Sequence, residues 1–253
     1  MSPGKVTVAF TPEVYGALHK AQLAFDRFAI YCFHCAMAFP FSSRENPFAH
    51  LSDEELDAHI RRKLYDDIEL TGAVAPDPRF AVMPKEGYRH DTWRHPHSGV
   101  LVPFLMAAAS RQKLLSLFDD LLTPLGDSVN VVLETSHDRV RYGNNHEDIL
   151  CEGIDLPVLR SILTNYDDIL LEDGCTGIAV LHPIVPMEVQ FDEHKLFIIY
   201  NDQAGSAENT LCQYGLEHDD QMKFITEAAH IHSTSDTFAQ RFQELVAELR
   251  GEY

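Results

Sequence analysis

The sequence predicts an α+β fold in which a mixed or antiparallel sheet is covered by helices and which contains an internal helix-turn-strand repeat. Three observations point to it: a unit that occurs twice, short alternating segments that read as strands, and amphipathic stretches with recognisable helix starts. Residues 114–133 and 162–181 align without a gap at an offset of 48. Leu115, Asp119, Asp120, Leu122, Gly126, Val132 and Leu133 meet Leu163, Asp167, Asp168, Leu170, Gly174, Val180 and Leu181. Leu114/Ile162, Ser116/Thr164, Phe118/Tyr166, Leu121/Ile169 and Ser128/Thr176 are close substitutes. In each copy an apolar helix face is followed by a glycine, expected to leave the helix in a left-handed conformation, and then by a strand that can pack beneath its own helix.

The elements are expected in this order. Lys5 to Phe10 alternates as a strand does. Thr11-Pro12 is a good helix start, and Val14, Leu18, Ala21, Phe25, Phe28, Cys32, Cys35 and Phe39 form one apolar seam at helical spacing. Pro40 to Pro47 breaks the pattern. Ser52 and Glu55 form a capping box that opens a helix to about Leu70 along Leu56, Ile60, Leu64 and Ile68. Thr71 to His97, with four prolines and two glycines, reads as a long irregular loop, the kind that often carries function. Gly99 to Met106 reads as a strand edged by Pro103.

The first copy of the repeat then gives a helix from Ser110 to Leu122 and a strand from Val129 to Glu134. The polar stretch His137 to Ile154 is a candidate boundary or hinge. The second copy gives a helix from Leu156 to Leu171 and a strand from Ile178 to Leu181. Glu188–Phe191 and Leu196–Tyr200 flank Asp192-Glu193-His194-Lys195 as a hairpin. A short helix from Gly205 to Tyr214, strand-like segments in Met222–His232 and a final helix from Ser235 to Leu249 complete the chain. One compact unit is expected for 1–253, with a split into 1–145 and 146–253 as the other reading.

Charge bounds the partners. With 39 Asp and Glu against 20 Lys and Arg, the formal net charge is −19, which repels phosphate backbones and anionic lipid and attracts cations. Nucleic-acid binding is disfavoured. The longest nearly apolar stretch, Phe28 to Phe41, contains His34 and Pro40 and falls short of the roughly 20 residues that span a bilayer. No secretory signal is visible in the first residues. Five scattered cysteines make no disulfide framework, so a reducing cytoplasm is the expected compartment.

Histidine is the residue type with a chemical pattern. Arg89 to His97 holds His90, Asp91, His95 and His97, ligand types that zinc and other divalent transition metals accept. His95 and His97 are two apart, and so are His230 and His232; in extended backbone each pair faces one side. If the pairs converge, His90, Asp91, His95, His97, His230 and His232 make a metal site. The competing reading puts His230 and His232 on the solvent face of a strand and leaves the loop histidines as backbone hydrogen-bond partners.

Other constellations carry less. Cys32 and Cys35 lie on the apolar seam of a helix and read as buried small hydrophobes. Cys175, between Gly174 and Gly177, resembles a nucleophile in a glycine turn. That turn runs from helix to strand, the reverse of a nucleophile elbow, and Asp127 takes its place in the first copy. Asp119-Asp120 and Asp167-Asp168 diverge by about 100 degrees around a helix and read as solvated charge. No phosphate loop, dinucleotide turn, His-Glu-x-x-His helix or Gly-x-Ser-x-Gly elbow is present. Two functions follow as expectations: a non-catalytic binding or regulatory module that meets a protein partner or itself, or a metal-dependent hydrolase. In the hydrolase, His95, His97, His230 and His232 are ligands, and Asp91 is a base or orienting group.

Overall fold

The computed structural model describes residues 6–10, 47–94, 101–137, 147–200 and 205–252, with the backbone alone for 6–10. The expected helix over residues 12–39, with Cys32 and Cys35, lies outside the described residues. Among the described residues the strands are β1 (Val6–Phe10), β2 (Leu64–Tyr65), β3 (Ile68–Glu69), β4 (Val74–Pro76), β5 (Gly87–Arg94), β6 (Leu101–Ala108), β7 (Ser128–Thr135), β8 (Glu147–Asp155), β9 (Thr176–Leu181), β10 (Glu188–Phe191), β11 (Phe197–Tyr200) and β12 (His230–Thr234). The helices are α1 (Asp53–Arg61), α2 (Arg111–Leu122), α3 (Leu156–Leu163), α4 (Asp167–Glu172), α5 (Ser206–Gln213) and α6 (Asp236–Arg250).

The α+β class holds. A seven-stranded sheet runs in the order β5-β6-β11-β10-β9-β7-β8, and each of its pairings is antiparallel. It takes strands from both sides of residue 145. A second sheet, β1-β12-β4, has three strands, and β2 and β3 form a separate hairpin. Among the described residues no helix is long and apolar enough to cross a membrane.

Side chains alternate across the large sheet as the period of two requires. Val129, Val131 and Leu133 of β7, Ile178 and Val180 of β9, Val189 and Phe191 of β10, and Phe197 and Ile199 of β11 join the main core with the helices. Helix α2 brings Leu114, Leu117, Phe118, Leu121 and Leu122, and burying each such side chain contributes about 1.5–3 kcal/mol. The intervening residues Glu134, Glu188 and Gln190 lie on the opposite face and are also buried. One sheet face is thus conventional core, and the other carries buried polar groups.

Three expected elements are corrected. Helix α1 has its capping box, with Ser52 N–H donating to Glu55 at 2.9 Å and Glu55 N–H donating to Ser52 Oγ at 3.3 Å. It ends at Arg61 rather than Leu70, because Arg62 is extended and Asp66, at φ 48°, turns the chain into the β2–β3 hairpin. Leu64, on the presumed helical stripe, is 63% exposed, whereas Tyr65 is buried. The segment Thr71–His97 is not an irregular loop, since it contains β4 and β5. The polar stretch before Leu156 is β8 from residue 147 onward.

The two stretches with similar sequences share the order helix, turn, strand, and their strands β7 and β9 pair. Their helices differ. The first is continuous through α2 into a short 3-10 turn at Thr123–Leu125, and the second is broken into α3 and α4 around Thr164–Tyr166. Gly126 leaves with φ 85° and ψ −168°, a positive-φ conformation that favours glycine but is not the left-handed helical exit expected, and Gly174 does not adopt a positive φ.

Candidate functional site: a buried cluster of three imidazoles

Strand β12 is the middle strand of the small sheet, flanked by β1 and β4. Its odd member Ile231 packs with Phe48, Ile60 and Ala75 in an apolar cluster. His230 and His232 therefore face the other way, and both are buried, not on a solvent face. What they meet is the turn between β10 and β11.

That turn is Asp192-Glu193-His194-Lys195. It closes through Lys195 N–H to the Asp192 carbonyl at 3.0 Å, with Lys195 in the left-handed region at φ 65°. The Asp192 carboxylate ties its two ends: Oδ1 accepts from Leu196 N–H at 2.7 Å and Oδ2 lies 2.9 Å from His194 Nδ1. All four side chains are buried. Turns normally sit in water, and charged residues are almost never fully buried unless paired. A buried turn of four polar residues is a built feature.

His194, His230 and His232 form a near-equilateral triangle, with ring centroids 4.9, 4.7 and 5.0 Å apart. One ring nitrogen of each lies within 4.8 Å of those of the other two. Each Nδ1 has an oxygen partner: Asp192 for His194, the Ala228 carbonyl at 2.8 Å for His230, and the Gly174 carbonyl for His232. A ring nitrogen anchored to an oxygen in this way is the outer-shell pattern of metal-ligating histidine. Burial, helped by the neighbouring imidazoles, pushes His230 well below the ordinary histidine value. Burial also pushes His232 down to about 4, against the opposing charge of Glu193. Both are neutral at physiological pH, the form that binds a cation.

Gly174 is where the site meets the turn that follows α4. Its N–H donates to the Ser233 carbonyl at 2.8 Å, and Ser233 N–H donates to the Ala73 carbonyl at 2.7 Å. A Cβ at Gly174 would run into the Ala73 carbonyl oxygen and crowd the Ser233 nitrogen. Glycine is needed here for close backbone approach, not for a left-handed turn.

Around the imidazoles lies a wider buried polar group. Ser136 Oγ donates to Glu193 at 2.7 Å, and Lys195 Nζ donates to the Thr176 carbonyl at 2.9 Å. Burial holds the Lys195 ammonium below its ordinary value, although Asp173, Asp192 and Glu193 work the other way. Burial, reinforced by Asp148, Glu193, Glu188 and Asp192, pushes Glu134 well above the usual carboxylate range. A small cavity of about 40 Å³ reaches His194 and Lys195 past Leu196, Met222 and Phe224.

A second set, His137, Asp173 and Cys175, also brings its ligand atoms within 4.8 Å of one another. It reads as an internal scaffold. His137 Nε2 pairs with Asp173 at 2.9 Å and Nδ1 with Thr135 Oγ1 at 2.6 Å, while Asp173 also accepts from Thr176 Oγ1 at 2.5 Å and Cys175 N–H at 3.3 Å. Burial opposes the Asp173 charge, but His137, Thr176 and Thr234 hold its carboxyl below the ordinary value. Burial, then Asp173 and Glu193, push the Cys175 thiol far up. With His137 Nδ1 bonded to Thr135, its Nε2 against the Asp173 carboxylate and the thiol pushed up rather than down, Cys175 is not an activated nucleophile.

Of the residues expected at a metal site, His230 and His232 come together, and the third imidazole is His194. His90 and Asp91 lie on β5 and are engaged otherwise. His90 Nε2 is 2.7 Å from Glu208, and its ring packs against His218 at 5.0 Å. Asp91 accepts from Arg89 at 2.8 Å. His95 and His97 lie outside the described residues. The aspartate doublets make surface ion pairs and hydrogen bonds: Asp119 with Arg160, Asp120 with the Tyr214 hydroxyl, Asp168 with Arg241. No protein-family model, no curated protein and no solved structure matches this chain.

Proposed function

We propose that this chain is a metal-dependent hydrolase whose single divalent transition ion, zinc first, is held by His194, His230 and His232. The observation that carries this is the convergence of three buried imidazoles, each with Nδ1 anchored to an oxygen. Three protein ligands are the number used by catalytic zinc sites, which keep a fourth position for water, whereas structural sites close with four. A zinc ion held by these imidazoles would supply Lewis acidity and a water acidified to a pKa of about 7. Glu193, whose charge acts on both His230 and His232, would be the group to take a proton from the attacking water as the ester or phosphoester bond breaks to give the acid and the alcohol.

A second reading keeps the ion and drops the chemistry. The ligands come from two different sheets, β12 on one and the β10–β11 turn on the other. An ion between them would staple the sheets together and make the chain a binding or regulatory module with a metal-dependent fold. Elemental analysis and a hydrolysis screen separate the two. The hydrolase reading expects about one zinc per chain, lost in His194→Ala and in His232→Ala, and turnover of an activated ester or phosphoester that disappears with a chelator and returns with zinc. Metal without turnover leaves the staple; no metal in either the purified or the zinc-reconstituted protein removes both.

A further inference from the structure

The cavity that reaches His194 has a lining unlike the rest of the molecule. The chain has 39 acidic residues against 20 Lys and Arg, yet among the described residues lining this cavity none is Asp or Glu and three are lysines. Lys85 and Lys223 are exposed at its mouth, and Lys195 is buried at its floor beside His194. The walls between are apolar: Ile68, Leu70, Val74, Leu196, Phe224 and Ile225. A void of about 40 Å³ holds about three waters at 10–15 Å³ each, so what replaces them is a ligand of a few heavy atoms.

We propose that this cavity is a binding pocket for a short-chain carboxylate, an apolar body of a few carbons carrying one negative charge. The assignment rests on the reading of His194 as a metal ligand only for where the carboxylate points. The alkyl part lies along Leu70, Val74, Leu196 and Phe224, where removing apolar surface from water is favourable. The charged end points to His194, the one proposed metal ligand that lines the cavity. Lysines at the mouth with no lining acid admit an anion that the −19 surface elsewhere repels. Lys85 is already paired with Asp219 and Lys195 with the Thr176 carbonyl, so Lys223 is the mouth charge that steers the ligand. In a hydrolase the same pocket takes the acyl part of a small ester or amide and releases the acid.

Calorimetric titration of the full chain with butyrate and with its neutral counterpart butyramide tests this, with zinc content measured on the same samples. The expected result is butyrate binding at least about tenfold tighter than butyramide, weakened about fivefold in Lys223→Glu, the scale set by one exposed charge. Replacing Ala108, which also lines the cavity, by Leu is expected to abolish binding while a circular dichroism melt stays cooperative. Equal affinity for butyrate and butyramide, or no butyrate binding by zinc-loaded protein, overturns the pocket while leaving the metal centre standing. A butyrate preference in protein that binds no zinc supports the pocket and removes the metal centre.

Discussion

The His232 imidazole donates through Nδ1 to the carbonyl oxygen of Gly174, so the strand bearing two of the three clustered imidazoles is tied to the turn that follows α4. Ser233 receives the Gly174 N–H in return. The contact exists because position 174 carries no side chain. Gly174→Ala is expected to cost about 1–3 kcal/mol through overpacking and to reduce zinc binding. Gly126→Ala has open space around the new methyl but a positive-φ backbone, so it should cost about 1–2 kcal/mol and leave zinc binding unchanged. Urea unfolding and zinc stoichiometry of the two variants check this. A Gly174→Ala protein with parental stability and metal content would contradict the contact.

Asp192 holds its turn and orients His194 with one carboxylate. Asp192→Asn keeps the size of the side chain but replaces one acceptor oxygen by an amide that cannot accept from His194 Nδ1. Outer-shell substitutions of this kind cost about 10–100-fold in metal affinity, and that loss is expected here with the fold retained. Competition against a chromophoric zinc chelator measures it. Unchanged affinity would mean that His194 is not oriented by Asp192.

Away from the site, Glu86 gives a pH dependence with a definite sign. Burial would raise its carboxyl, but Lys113 at 2.6 Å and the Ser110 N–H at 2.6 Å outweigh it and hold the group below the ordinary glutamate value. A carboxyl lowered in the folded state stabilises above its unfolded value, and that contribution is lost as pH falls through the folded value. Glu86→Gln is therefore expected to destabilise the protein at neutral pH and to lose less stability than the parent on acidification. Denaturation midpoints of both proteins, measured from neutral pH into the acid range, should converge as pH falls. Parallel curves would show that Glu86 contributes no proton linkage.

The cysteines offer a chemical check on the interior. Cys175 is buried with its thiol pushed far up, and burial raises Cys151 as well, whereas Cys212 is exposed. A maleimide acts on the thiolate, so brief labelling of native protein followed by peptide mapping should modify Cys212 and leave Cys175 untouched until denaturant is added. Fast native labelling of Cys175 would reopen the case for a reactive thiol.

Much of the fold was legible because its elements follow their periods. The capping box at Ser52, the helix from Ser110, the strands at Val129 and Ile178 and the hairpin at Glu188–Tyr200 all stand where their patterns placed them. Two of the misread segments share one cause. β5 and β8 are the two edges of the large sheet, where outward side chains meet water, and their polarity made strands look like a loop and a boundary. At the site, His230 and His232 stood out by spacing alone. His194 did not, because a charged four-residue turn is ordinarily solvated and nothing local announces that β12 will cover it. The crowding of titratable groups in Asp192-Glu193-His194-Lys195, with no glycine, asparagine or proline to make the turn, was the available signal.

X-ray absorption at the zinc edge of the reconstituted protein tests the central claim most directly. Three histidine nitrogens at about 2.0–2.1 Å plus one oxygen neighbour, with the imidazole scattering lost in a His194→Ala/His232→Ala double variant, is the spectrum expected. A sulfur neighbour at about 2.3 Å would move the ion to Cys175 and His137, and an all-oxygen shell would put it on surface carboxylates. Either spectrum contradicts a three-imidazole centre.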